Sequence, residues 1–183
     1  MARSAAPAVA LVSARTISSN NPEHTIRTGV LEGRVEVANY SHTKTVGIVY
    51  SVDGGEWQAA NASYKQTLPG GREIWEFSVT IFEVPFGSDS DARNIQFALF
   101  MEANGTDYWD NNSGNDYSIS TVGENMQYST FALGSRAVEL AYASHAWNYR
   151  RSYGAILNVK AVLKNIAYAK DVQLVYTVDN WEP

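Results

Sequence analysis

Cysteine is absent from the chain, so disulfides, thiolate chemistry and cysteine-based zinc sites are all excluded. Long apolar runs are missing as well, and no window approaches the roughly 20 apolar residues that a membrane-spanning helix needs. Positive charge is sparse. Lys and Arg number 14 against 19 Asp and Glu, a net charge of -5, and no basic run is longer than Arg150-Arg151. The electrostatic footprint of a nucleic-acid binder is therefore missing, and neither nucleic acid nor a membrane is an expected partner. The histidines, His24, His42 and His145, are scattered, with no His-Glu-x-x-His or Gly-x-Ser-x-Gly arrangement. Glu73 and Glu76 are three apart in an alternating segment, which sends them to opposite faces of a strand and spoils paired acid/base work. No catalysis, cofactor or metal is expected.

Aromatic residues, by contrast, reach 12%, with eleven Tyr and five Trp. Helix periodicity is poor while period-two alternation is frequent: Trp75, Phe77, Val79 and Ile81 fall on one face, as do Ile95, Phe97, Leu99 and Met101, and Val46, Ile48, Tyr50 and Val52. Turn chemistry at Gly54-Gly55, Pro69-Gly70-Gly71, Asn104-Gly105 and Ser113-Gly114 separates these segments. The pattern predicts an all-β protein, an antiparallel immunoglobulin-like β-sandwich across residues 1–122.

The sequence also repeats itself. Val49-Tyr50-Ser51-Val52-Asp53 returns 126 positions later as Val175-Tyr176-Thr177-Val178-Asp179, preceded by Asn165, Lys170 and Val172 where the first copy has Asn39, Lys44 and Val46. Val9-Ala10-Leu11 has its counterpart in Val138-Glu139-Leu140. Residues 123–135 read as a linker. Residues 136–183 then read as the N-terminal half of a second module, with Ala155–Val162 and Val172–Val178 as its second and third strands. On the order of 45 residues bury too little surface to stand alone, and their strand edges seek partners. Completion by another segment or protomer, and hence a homo-oligomer, is expected.

Tyr108-Trp109-Asp110-Asn111-Asn112-Ser113-Gly114-Asn115-Asp116-Tyr117 packs aromatic and tandem amide residues into one loop. This segment resembles the aromatic-Asp-Asn-Asn signature of carbohydrate-binding module family 21. That family comprises starch-binding domains of fungal glucoamylases and glycogen-targeting domains of protein phosphatase 1 regulatory subunits. Leu163-Lys164-Asn165-Ile166-Ala167-Tyr168-Ala169-Lys170-Asp171-Val172, followed by Tyr176 to Trp181, is similar to the family's Val-Lys-Asn-aromatic-x-x-x-Lys-x-Val strand pair. The first copy carries that element more loosely from Val37 to Val46, ending at Trp57, with His42 where the second copy has Tyr168.

The resemblance implies a non-catalytic protein that binds polysaccharide, of the starch or glycogen type. An α-glucan offers apolar C–H faces to Trp or Tyr rings and hydroxyl edges to Asn amides, which both donate and accept. Trp109, Asn111 and Asn112 are the leading contacts, flanked by Tyr108, Asn115 and Tyr117. Alternation places one of the two tyrosines in the core without saying which. Trp57, Asn39, Lys44, Asn165, Tyr168, Lys170 and Trp181 are further candidates, whereas Trp75 is expected in the core. A calcium reading of the loop fails because its glycine comes one position early and Thr121 stands where a bidentate Glu belongs. A stand-alone lectin for β-glucan or glycoconjugate glycans, and a structural sandwich without ligand, are the rival readings.

Compartment is only weakly marked. Met1-Ala2-Arg3 and the apolar stretch after it imitate a short signal peptide, yet Val9-Ala10-Leu11 also reads as a first strand. The sequons at Asn39, Asn61, Asn104 and Asn111 would place glycans inside the ligand motifs. Cytoplasmic location is slightly favoured over secretion.

Overall fold

The computed structural model describes residues 6–21, 26–85, 92–121, 131–148 and 154–177. The strands are Val9–Asn21 (β1), Ile26–Val37 (β2), Lys44–Val52 (β3), Gln58–Asn61 (β4), Ser63–Thr67 (β5), Glu73–Pro85 (β6), Asn94–Ala103 (β7), Thr106–Asp110 (β8), Tyr117–Ser120 (β9), Phe131–Leu133 (β10), Val138–Asn148 (β11) and Gly154–Leu163 (β12). Helix among the described residues is confined to a 3-10 turn at Asn112–Gly114, and no helix there is long and apolar enough to cross a membrane.

Two antiparallel sheets form the expected sandwich. One has the order β10-β1-β2-β6-β5; the other has β4-β3-β7-β8, with β9 also on β7. The alternation read from the sequence becomes the core between them. Ile95, Phe97, Leu99 and Met101 of β7 and Ile48 of β3 are fully buried against Leu31, Val35 and Val37 of β2. Phe77 of β6 meets Phe97 across the sheets at 6.4 Å, while Trp75 and Ile81 pack at the margin of the core.

A bulge at Val12 interrupts the pairing of β1 with β2, between Leu11↔Val35 and Ser13↔Arg34. The extra residue flips the alternation, so Val9 and Leu11 before it and Ala14 and Thr16 after it are all buried. The freed backbone groups are used elsewhere: the carbonyls of Val12 and Leu11 accept from Gly134 N at 3.2 Å and Ser135 N at 2.7 Å. A Cβ on Gly134 would lie 2.0 Å from the Leu11 carbonyl oxygen, so only glycine permits this approach.

The segment expected as a linker, 123–135, is thus partly structural. Its residues 131–133 form β10 and close the outer edge of β1, satisfying a row of backbone groups that a free linker would leave bare. Residues 123–130 lie outside the described residues.

The β11–β12 hairpin stands as a separate two-stranded sheet. Its register copies that of β1–β2. Val138↔Leu163 matches Val9↔Val37, and the shift between Leu140↔Ala161 and Tyr142↔Lys160 matches the bulge after Leu11↔Val35. The expected third strand at Val172–Val178 does not form: residues 172–177 carry no ladder, and Val178 lies outside the described residues. The reason is partnership. β3, the equivalent segment, is held between β4 and β7, and residues 136–183 offer a counterpart of neither.

At the end of the sandwich where β2 runs into β3, Lys44 forms a buried clasp. Its ammonium donates to Asn39 Oδ1 at 2.9 Å and pairs with Glu73 Oε2 at 2.8 Å, with side-chain exposures of 2% and 10% for Lys44 and Glu73. Trp75 Nε1 donates to the same Glu73 oxygen at 3.0 Å. Burial alone would raise the pKa of Glu73, but the Lys44 and Trp75 bonds and the Lys44 charge outweigh it and hold the carboxyl below its ordinary value. A depressed carboxyl stabilises the fold above the unfolded pKa of about 4.3 and loses that contribution as pH falls through the folded value. Urea unfolding should show Glu73→Gln less stable than the parent by about 2 kcal/mol at neutral pH. The gap should close on acidification below the ordinary glutamate range.

Candidate functional site

β8 and β9 are one edge strand cut in two. β8 pairs with Leu99–Ala103 of β7 and β9 with Asn94–Phe97, and residues 111–116 leave the sheet between them. The composition of the excursion explains its shape. Asn112 (φ 52°), Ser113 (φ 60°), Gly114 (φ 90°) and Asp116 (φ 53°) all adopt left-handed backbone, a region that Gly enters freely and Asn or Asp at low cost. The Asn111 carbonyl accepts from Gly114 N at 3.1 Å and Asp116 N at 2.9 Å, while Asn111 Oδ1 accepts from Gly114 N at 3.0 Å. Asn112 Nδ2 donates to Asp116 O at 3.1 Å, and Asn115 Nδ2 to Asn112 O at 3.4 Å. The tandem amides therefore hold their own loop with half of their polar groups. Asn111 Nδ2 and Asn112 Oδ1, a donor and an acceptor on exposed residues, are left for other partners.

The loop is tied down by Asp110. Its Oδ2 accepts from Leu11 N at 2.8 Å and from Tyr117 Oη at 2.9 Å, and its Oδ1 from Asn112 N at 3.2 Å. Leu11 is the residue before the β1 bulge, so one carboxylate joins the edge of one sheet to the irregular strand of the other. Tyr117 stacks on Phe97 at 5.3 Å and 25°. Burial, reinforced by the hydrogen bond to Asp110 and its charge, raises the Tyr117 phenol well above its ordinary pKa. Tyr117 thus points inward at the base of the loop, and since Tyr108 also packs against the core, the expected division of one core and one outer tyrosine does not hold.

Because Asp110 faces inward, alternation turns Trp109 outward, and the residue is 53% exposed. It leans on Phe100 of β7 at 5.7 Å, and Phe100 in turn lies over Gly47 of β3. A Cβ at position 47 would lie 2.8 Å from that ring. Gly47, Phe100 and Trp109 consequently make an apolar surface on the outer face of the sheet, beside the amide loop.

The other predicted contacts are distributed. Tyr108 turns away from Trp109, packs half-buried against the core and meets the exposed Tyr40 at 5.3 Å where the β2–β3 loop meets the β7–β8 turn. Asn104 Nδ2 donates to Tyr40 O there at 3.1 Å. Trp57 is exposed and precedes β4, at the opposite edge of the sheet from Trp109. Asn39 and Lys44 are joined in the clasp described above, with the ammonium buried. Asn165 Oδ1 accepts from Lys170 Nζ at 2.8 Å, reproducing the Asn39–Lys44 bond, and Lys170 also donates to Ala167 O. Tyr168 beside them is fully exposed. Trp181 lies outside the described residues.

Sequence reasoning passed over Tyr40, Asn104 and Phe100 as site residues, and gave Asp110 of the signature no anchoring role. Tyr40 fills the aromatic position after Asn39 in the strand-pair motif, where the second copy has Ile166. Phe100 was readable only as one more strand residue. A groove of about 490 Å³ on the outer face of the first sheet, lined by Arg15, Glu32, Arg34, Asn61, Glu76 and Phe131, is furnished mostly with groups already ion-paired to one another or to Glu139. Among the described residues no group of three or more His, Asp or Glu could hold a metal ion.

A family model described as carbohydrate/starch-binding module (family 21) matches residues 13–120. Protein phosphatase 1 regulatory subunit 3C of Bos taurus is 36% identical over 93 residues, covering 49% of this chain and 28% of that protein. Glucoamylase 1 of Rhizopus oryzae is 28% identical over 94 residues, covering 49% of this chain and 14% of that protein. The chain thus matches less than a third of either relative's length. Among solved structures, the starch-binding domain of Rhizopus oryzae glucoamylase, in complex with β-cyclodextrin and maltoheptaose, aligns at TM-score 0.46 and 23% identity over 66% of this chain and all of that one. The carbohydrate-binding module of the muscle glycogen-targeting subunit of protein phosphatase 1 aligns at TM-score 0.39 and 19% identity, over 60% and 78% of the two chains.

Asp110→Ala should leave the Leu11 amide, the Tyr117 hydroxyl and the Asn112 amide without their acceptor. We expect a loss of about 1–3 kcal/mol in urea unfolding. The near-UV circular dichroism from the Trp109 and Tyr117 rings should also weaken, with the far-UV sheet signal retained.

Proposed function

Since the chain belongs to the carbohydrate/starch-binding modules of family 21, we propose that it is a non-catalytic binder of α-glucan, of the starch or glycogen class, and that the Trp109 loop is its main contact surface. One observation carries this reading: an exposed indole sits beside an amide donor and an amide acceptor that the loop does not use. The ring takes the C–H face of a glucose unit, and Asn111 Nδ2 and Asn112 Oδ1 take adjacent hydroxyls. The loop's own hydrogen bonds and the Asp110 anchor order it before ligand arrives, so little conformational entropy is lost on binding.

The surface is open and shallow, which favours modest affinity at any one site and a gain from several. Trp57, and the Tyr40–Tyr108 pair with Asn39 and Asn104, supply further rings and amides on the same module. Asn165, Tyr168, Lys170 and Trp181 are proposed contacts of the 136–183 segment. Lys44 is not among the contacts, because its ammonium is buried and shared between Asn39 and Glu73.

Affinity electrophoresis in gels containing amylose, glycogen or a β-1,3-glucan tests the proposal. Amylose and glycogen should retard the chain. Trp109→Ala should weaken retardation about tenfold, in keeping with the loss of one stacked ring at about 1–2 kcal/mol, and Trp57→Ala by less. Retardation by the β-glucan alone would replace the α-glucan assignment with the lectin reading. Free migration in every gel would leave a sandwich without ligand.

A further inference from the structure

Leu11, at the β1 bulge, is held from two directions. A strand residue turns its N–H and its C=O to the same edge. At Leu11 both are taken by partners other than β2: the amide donates to Asp110 Oδ2 at 2.8 Å, and the carbonyl accepts from Ser135 N at 2.7 Å. Beside it, Val12 O accepts from Gly134 N at 3.2 Å. The two peptide groups that flank one α-carbon are thus shared between the anchor of the Trp109 loop and the segment that leads into β11. The seat is tight. A Cβ at position 134 would also lie 2.6 Å from Leu11 Cβ, so the segment touches backbone and side chain at once. The Leu11 side chain is 1% exposed and close-packed in the core, which denies the residue any retreat. The segment itself is fastened at both ends. Phe131–Leu133 pair with β1 before it, and after it Lys164 Nζ donates to Gly134 O at 2.8 Å while Glu139 pairs with Arg34 at 2.8 Å.

We infer that Gly134 and Ser135 are positioning residues for the Trp109 loop. Seated on one side of Leu11, they fix the amide that Asp110 accepts on the other, and Asp110 in turn fixes the outward aim of Trp109 and the start of the amide loop. The carboxylate must meet Leu11 N, Tyr117 Oη and Asn112 N together. Tyr117 is fixed by its stack on Phe97, so a shift of Leu11 is passed to Asp110 and from there to the loop. The link runs in both directions, because any coupling between two sites is reciprocal. Its consequence for glucan binding rests on the reading of the Trp109 loop given above, whereas the link itself is read without ligand.

NMR of the full chain without ligand tests the link. Gly134→Ala, and separately Ser135→Pro, which removes the donor, should move the Trp109 indole N–H and the side-chain amides of Asn111 and Asn112. The Trp57 indole, at the opposite edge of that sheet, should stay in place. From the other end, Asp110→Ala should speed hydrogen exchange at the Ser135 amide at least about tenfold beyond any change at the Leu31 amide of the core. That measurement holds even if the substitutions at 134 and 135 prevent folding. In affinity electrophoresis, Gly134→Ala should weaken amylose retardation roughly two- to tenfold in the parent chain and add nothing in the Asp110→Ala background. Unmoved Trp109, Asn111 and Asn112 resonances in a folded Gly134→Ala chain overturn the inference. So do equal losses of retardation in both backgrounds, and so does Ser135 exchange that Asp110→Ala leaves untouched. Failure of the glucan reading alone looks different: free migration in every gel while the ligand-free shifts persist, which supports the link.

Discussion

The carboxylate of Asp110 is the constraint from which most of the rest follows. It accepts from the backbone of one sheet at Leu11, from the phenol of the other at Tyr117, and from the loop itself at Asn112. Charge-assisted bonds of this kind are stronger than neutral ones, and these converge on a partly buried point between the two sheets. The loop needs such an anchor, because consecutive left-handed residues cost conformational energy that a free segment would not bear. With Asp110 turned inward, strand geometry leaves Trp109 no direction but outward. The exposed ring and the ordered amides beside it are two results of one side chain's commitment.

The Asn–Lys bond shows the division of labour between local sequence and distant partners. It forms in both halves of the repeat, at 2.9 Å between Lys44 and Asn39 and at 2.8 Å between Lys170 and Asn165. Six residues are enough to specify it. What the bond leads into differs. In the first case Glu73 of β6 neutralises the ammonium and β3 continues between two neighbours. In the second the ammonium turns to Ala167 O, and the chain runs on without a ladder. Strand formation at 172–177 is thus limited by the lack of a neighbour to pair with, since the equivalent residues of β3 form a strand once neighbours are present.

Much of this was readable in advance, for reasons that can be named. The faces containing Ile95, Phe97, Leu99 and Met101 were legible because strand burial has a period of two, which needs no knowledge of the partner strand. The loop was legible as a loop because Asn, Ser, Gly and Asp are the residues that tolerate left-handed backbone. The bulge at Val12 was not, since its evidence is a reversal of alternation that looks like noise until β2 fixes the register. β10 was hidden in a segment that reads as a linker, because pairing of three residues with β1 is a property of the assembled sheet. Lys44 reads as a surface lysine until Glu73, 29 positions away, is brought beside it. Tyr40 and Tyr108 become a pair only when the two chain reversals at that end of the sandwich meet.

The central claim, that the ordered Trp109 loop is where glucan meets this chain, is most directly tested by amide-resolved NMR during titration with a linear malto-oligosaccharide. The account predicts saturable shifts at the Trp109 indole N–H and at the side-chain amides of Asn111 and Asn112, with the Trp75 indole, which is bonded to Glu73, unmoved. Saturable binding that leaves Trp109 and both amides unperturbed would contradict it.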